Sequence, residues 1–159
     1  MSVQWLARGV HDVPESADWL SPAESARLSL LRFAKRRSEM RLARWTAKQA
    51  VARALDLEAD AGTLARIEIR AASTGAPAAF VGDERAPIAV SLSDRADWAV
   101  CVVAPADLGV GCDLEIVEPR TDRFVRDWFT PAERDLVFGA DPGEERHLLA
   151  NLVWSAKES

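Results

Sequence analysis

Apolar positions recur with a period near two in several short runs of this chain and with a period near 3.6 in longer ones. Residues 3–10, with Trp5 and Leu6 as apolar members, predict a strand. Leu20-Ser21-Pro22-Ala23-Glu24 predicts a helix start, with Ser21 as cap, Pro22 at the first helical position and Glu24 closing a capping box. Helical spacing continues to about residue 55, interrupted near Phe33. Within it Met40, Ala43, Ala47, Ala50 and Ala54 form an apolar face of small side chains, while Arg37, Arg41, Arg44 and Lys48 recur on another. Residues 64–69 predict a short strand, 73–77 a loop, and 88–92 and 98–103 two strands about a turn at 94–97. A further strand is expected over 108–117. Helices follow at 122–129, after the second Ser/Thr-Pro-x-Glu start at Thr130, and from about Pro142, where Leu148, Leu149, Leu152, Val153 and Ala156 make an apolar stripe. Strands and helices mix without regular alternation, so the fold class is α+β.

The 108–117 strand changes the picture from fold to chemistry. Alternation puts Asp113 and Glu115 on one face and turns Cys112 and Leu114 toward a core. Glu158 arrives at the end of the last helix, in Trp154-Ser155-Ala156-Lys157-Glu158-Ser159. Three carboxylates converging on one point suit a hard divalent cation, most simply Mg2+ that retains waters and awaits a phosphate. Taken singly, each also fits a solvated strand face or helix surface.

Composition narrows the class. The 159 residues, 48% apolar and 28% charged, suffice for a domain with a real core. No apolar run reaches the roughly 20 residues of a membrane span, and the opening residues lack the pattern of a secretory signal. Cys101 and Cys112 lie in apolar runs and read as buried reduced thiols, which fits a cytoplasmic setting. The net charge is −5, yet residues 20–55 carry nine Lys/Arg against two acids, a local +7 that leaves −12 elsewhere. That asymmetry suits a localised anionic partner and argues against general nucleic-acid binding. His11 and His147 are too isolated for a metal or triad role. Trp154 reads as packing, and Trp98 and Trp128 as core or cleft wall. Arg120 can pair with a neighbouring carboxylate or a phosphate.

Gly111-Cys112-Asp113-Leu114-Glu115 followed by Trp154-Ser155-Ala156-Lys157-Glu158-Ser159 resembles the paired motif of 4′-phosphopantetheinyl transferases of the surfactin type. The spacing is similar, as are the intervening Trp128-Phe129-Thr130-Pro131-Ala132-Glu133 and, upstream, Leu20–Glu24, Gly75-Ala76-Pro77 and Ser91-Leu92-Ser93. The resemblance implies a pseudo-dimer of two α+β halves, monomeric when complete. Here residues 1–107 would be a full first half and 108–159 the start of a second, which is expected to be incomplete because the sequence stops inside the motif helix. It implies transfer of the phosphopantetheine arm of coenzyme A to a serine of an acyl or peptidyl carrier protein. Mg2+ would be held by Asp113, Glu115 and Glu158. Glu158, or Glu133 through a water, would accept the serine proton, and Lys157 would stand beside the phosphates. Gly75, Pro77, Ser91 and Ser93 would contact the coenzyme.

Two positions depart from the family's pattern. Ala76 stands where it usually has Lys, and Leu92 where it usually has His, so two cationic phosphate contacts of about 1.5–3 kcal/mol each are missing. Arg44 and Lys48, with Arg37 and Arg41, are candidates to replace them or to dock an acidic carrier helix. The same departures support an alternative: a non-catalytic relative that binds carrier protein or coenzyme without transfer. An unrelated Mg2+ phosphodiesterase on the same trio is a weaker option, since further Asp/His clustering is absent.

Overall fold

The computed structural model describes residues 2–159 and divides into two compact units, residues 1–112 and 113–159, each taken by itself below. The division falls after Cys112, five residues beyond the expected 107/108 border, because the Cys112 amide donates to Ser91 Oγ at 3.0 Å and so stays with the first unit.

In the first unit, β1 (Gln4–Gly9), β6 (Trp98–Pro105) and β5 (Ile88–Arg95) form an antiparallel sheet in the order β1-β6-β5. A second antiparallel sheet is built from β2 (Ile67–Ala71), β3 (Pro77–Val81) and β4 (Glu84–Arg85). Helix α1 (Pro22–Leu30) starts as its sequence predicts: Ser21 Oγ accepts from the Glu24 amide, and Glu24 Oε2 accepts from the Ser21 amide. Residues 31–33 break the helical run before α2 (Ala34–Ala54). Leu42, Ala43, Ala47, Ala50 and Val51 of α2 are buried, and small side chains there let the helix lie close to β1 and β6. Trp19, Leu64, Ile67, Val90, Cys101 and Val103 complete the core.

The strand expected at 64–69 begins only at Ile67. Asp60 caps a short helix α3 (Ala61–Arg66), its carboxylate accepting from the Gly62 and Thr63 amides, which diverts the first residues from extended conformation. The β3–β4 hairpin lies beyond the sequence reading, since Pro77–Val81 is apolar throughout and shows no alternation, and β4 has only two residues. The β5–β6 turn is tight: Arg95 pairs with Trp98, so Ala96 and Asp97 alone turn the chain, at φ of +50° and +64°. Those are the signs of a type I′ turn, which favours Asn and Gly.

The second unit is helical: α4 (Asp122–Trp128), α5 (Pro131–Gly139) and α6 (Glu144–Glu158). Val125, Phe129, Val137 and Ala150 are its buried centre, flanked by Phe124, Phe138, Leu149, Val153 and Trp154. Leu148 and Leu152 of the expected stripe are exposed, and Trp98 and Trp128 likewise stand out in solvent rather than in a core. The α+β class of the whole chain is as expected. No described helix is long and apolar enough to cross a membrane.

Candidate active-site residues

The expected strand over 108–117 does not form; the segment is irregular from Gly109 to Thr121. A strand needs partners for its amides and carbonyls. Here the Cys112 amide goes to a serine hydroxyl, and the segment past residue 112 is held by side chains of α6. Ser155 Oγ donates to the Asp113 carbonyl at 3.1 Å, and Trp154 Nε1 donates to Glu115 Oε1 at 3.1 Å. Asn151 Nδ2 donates to the Glu118 carbonyl at 2.7 Å, and His147 Nδ1 accepts from the Arg120 amide at 3.4 Å. His147, Asn151, Trp154 and Ser155 fall at intervals of four, three and one, which places them along one helix face. These contacts form one polar seam along α6. Trp154 combines this role with the expected packing, edge-on to Phe124 and Trp128. Asn151 went unremarked in the sequence; its signal was a lone amide amid the apolar run 148–153.

Arg120 resolves toward carboxylates: Nη2 lies 3.6 Å from Glu115 Oε2 and Nη1 3.2 Å from Glu118 Oε1, while Nε donates to Asn151 Oδ1 at 2.8 Å. Glu133 closes the capping box of α5, taking the Thr130 amide at 2.7 Å, and receives Lys157 Nζ at 2.9 Å. The Thr130 amide and then Lys157 hold its carboxyl below the usual range. Glu158 sits exposed at the end of α6. Among the described residues no three His, Cys, Asp or Glu side chains are gathered as a metal site. The fit of Asp113, Glu115 and Glu158 to Mg2+ is thus one of donor chemistry, three hard anionic oxygens, rather than of assembled geometry.

The residues expected to contact coenzyme all lie in the first unit. Ser91 and Ser93 share one face of β5, opposite Val90, while Leu92 packs against the core. Gly75 takes φ of +87°, a turn conformation few other residues accept, and Pro77 opens β3. A cavity of about 570 Å³ is lined by Ala76, Pro77, Arg85, Ile88, Leu108 and Val110 among others. The basic stripe of α2 turns out to be spoken for. Arg37 donates to the Leu31 and Arg32 carbonyls, and Arg41 to those of Pro14, Glu15 and Ser16. Lys48 is fully buried, donating to the Trp19 and Leu64 carbonyls at 2.9 Å and pairing with Glu24, so its ammonium is not presented to solvent. Burial pulls its pKa down against the opposing pull of Glu24. Arg44 is 3.5 Å from Glu24 Oε1 and edges a cavity of about 240 Å³ with Arg27, Glu68 and Arg70. Cys101 and Cys112 are both free thiols; burial, and then the neighbouring Cys112, push Cys101 up to about 12.

Residues 109–159, the segment bearing both acidic motifs, match the model of the 4′-phosphopantetheinyl transferase superfamily. Among solved structures, the holo-[acyl-carrier-protein] synthase of Neisseria meningitidis is similar, with a TM-score of 0.52 and 19% identity, over 64% of this chain and 94% of that one. That of Helicobacter pylori, in complex with coenzyme A, gives 0.49 and 16% over 65% and 98%. That of Bacillus anthracis gives 0.48 and 20% over 64% and 92%. The Neisseria likeness establishes a 4′-phosphopantetheinyl transferase-like fold. No curated protein matches the sequence.

Proposed function

We propose that this chain acts as a 4′-phosphopantetheinyl transferase, moving the phosphopantetheine arm of coenzyme A onto a serine of an acyl or peptidyl carrier protein. The observation that carries the reading is the superfamily match across residues 109–159, within which Asp113, Glu115, Lys157 and Glu158 all fall. In the reaction the serine Oγ forms a bond to the phosphorus bearing the pantetheine arm. The bridging P–O bond of the diphosphate breaks, and adenosine 3′,5′-bisphosphate leaves. Asp113, Glu115 and Glu158 would hold Mg2+, which supplies stabilisation of charge on the diphosphate.

A serine hydroxyl needs a base. Glu158 is the better candidate, because Glu133 is engaged by the Thr130 amide and Lys157, and a carboxyl held low is a weak proton acceptor. Lys157 keeps Glu133 in place and carries positive charge beside the motif helix's end. Toward coenzyme, Arg44, Gly75, Pro77, Ser91 and Ser93 remain the contact residues of this reading, whereas Lys48 serves the core. Free thiols suit a reducing, cytoplasmic compartment.

The test incubates the chain with coenzyme A, Mg2+ and several apo carrier proteins and weighs the carriers. A phosphopantetheine mass gain is expected. Carrier binding without any gain would favour the non-catalytic alternative, which one observation supports: half-buried Leu92 packs against the core where a phosphate contact would need a polar group facing out.

A further inference from the structure

The seam along α6 points beyond the acidic residues to the group that orients them. Glu115 is a flexible side chain on an irregular segment, so neither a strand nor a helix fixes its carboxylate. Trp154 Nε1 meets one oxygen at 3.1 Å and Arg120 Nη2 faces the other at 3.6 Å. Arg120 is itself fixed: Nε on Asn151 Oδ1 at 2.8 Å, Nη1 by Glu118 at 3.2 Å, and the guanidinium 4.9 Å from the Phe124 ring centroid. Its side chain is only 16% exposed, and Asn151 is buried.

We infer that Arg120 is a positioning residue for Glu115, holding the carboxylate, jointly with Trp154, in the orientation in which it takes the divalent cation. The inference rests on the Mg2+ reading above. Of the roughly four acceptor sites a carboxylate offers, the Trp154 N–H takes one on Oε1, while Arg120 faces Oε2 as an ion pair at 3.6 Å. The guanidinium has two opposed effects. Its charge repels a cation, but Glu118 offsets that charge locally; its fork removes the rotational freedom of Glu115. Partners that orient metal ligands contribute about 10–100-fold in affinity, so orientation prevails. The planar fork matters, because an ammonium cannot face Asn151, Glu118 and Glu115 at once.

The experiment uses the ¹⁵N-labelled full chain with Mn2+ as probe. The Trp154 indole N–H resonance, assigned with Trp154→Phe, broadens when the paramagnetic ion binds near Glu115. In Arg120→Met the Mn2+ concentration for half-broadening is expected to rise about 10–100-fold. Arg120→Lys, which keeps charge and most of the volume, is expected to recover only part of that, with helix content unchanged by circular dichroism. Should Arg120→Met not fold, Arg120→Lys decides alone. Unchanged half-broadening in whichever variant folds overturns the positioning role while leaving the metal reading intact. If Mn2+ fails to broaden the resonance in the unsubstituted chain, the metal reading fails and takes the inference with it.

Discussion

Lys48 and Glu24 are a buried pair whose partners come from four places in the first unit. Lys48 joins the Trp19 and Leu64 carbonyls to Glu24, which also caps α1 and faces Arg44. Removing Lys48 takes the nearest cation from the buried Glu24 carboxylate and leaves it Arg44 at 3.5 Å. Lys48→Ala should therefore cost about 3–5 kcal/mol, read by urea unfolding; a loss under 1 kcal/mol would contradict this account. At Asp113 the expectation concerns chemistry. Asp113→Ala should abolish phosphopantetheine transfer while the chain stays folded, and turnover unchanged by mass spectrometry would remove this carboxylate from the mechanism. Glu133 adds a pH dependence. Its carboxyl is held low in the folded state, so its contribution is present at neutral pH, above the ordinary carboxylate range, and fades as acid titrates it through that lowered value. The stability gap between the unsubstituted chain and Glu133→Gln should shrink steadily toward acid pH; a gap that widens would reverse the sign.

Elements in this protein owe their limits to particular side chains. The capping boxes at Ser21 and Thr130 start α1 and α5 at the positions their Ser/Thr-Pro-x-Glu patterns predict. The β5–β6 turn departs from local preference, because Ala96 and Asp97 both adopt positive φ without glycine. A side chain there costs roughly 1–2 kcal/mol, partly returned by the smaller entropy it loses on folding. Asp97→Gly should raise stability by about 0.5–1 kcal/mol in thermal or urea unfolding, with the sheet unchanged. Residues 113–120 belong to this scale too. Four side chains of α6 contact them, so a change in α6 reaches Glu115 directly.

Across the whole molecule, each unit is organised around its own apolar cluster, Trp19 to Val103 in one and Val125 to Ala150 in the other. Neither cluster involves a metal ligand. Chelation with EDTA is thus expected to stop transfer and leave far-UV circular dichroism unchanged, with Mg2+ restoring activity; loss of helix signal on chelation would show the ion building the fold. Charge asymmetry is the other whole-molecule trait. The +7 stretch over residues 20–55 invites an anionic partner on paper, but its inner cations are consumed by carbonyls and Glu24.

Periodicity and capping patterns alone determine the α+β class, the starts of α1 and α5 and the apolar face of α2, because these depend on neighbours within a few residues. The acidic motifs stand in the sequence by residue type and spacing, and the superfamily match over residues 109–159 covers them. Tertiary structure decided the rest. It made 109–121 irregular, with side chains of α6 set along it, and no local pattern reveals that. It turned Lys48 inward, because a basic stripe looks the same in sequence whether carbonyls or water receive it. And it set Arg120 against Glu115, a pairing that depends on where α6 lays Asn151 and Trp154.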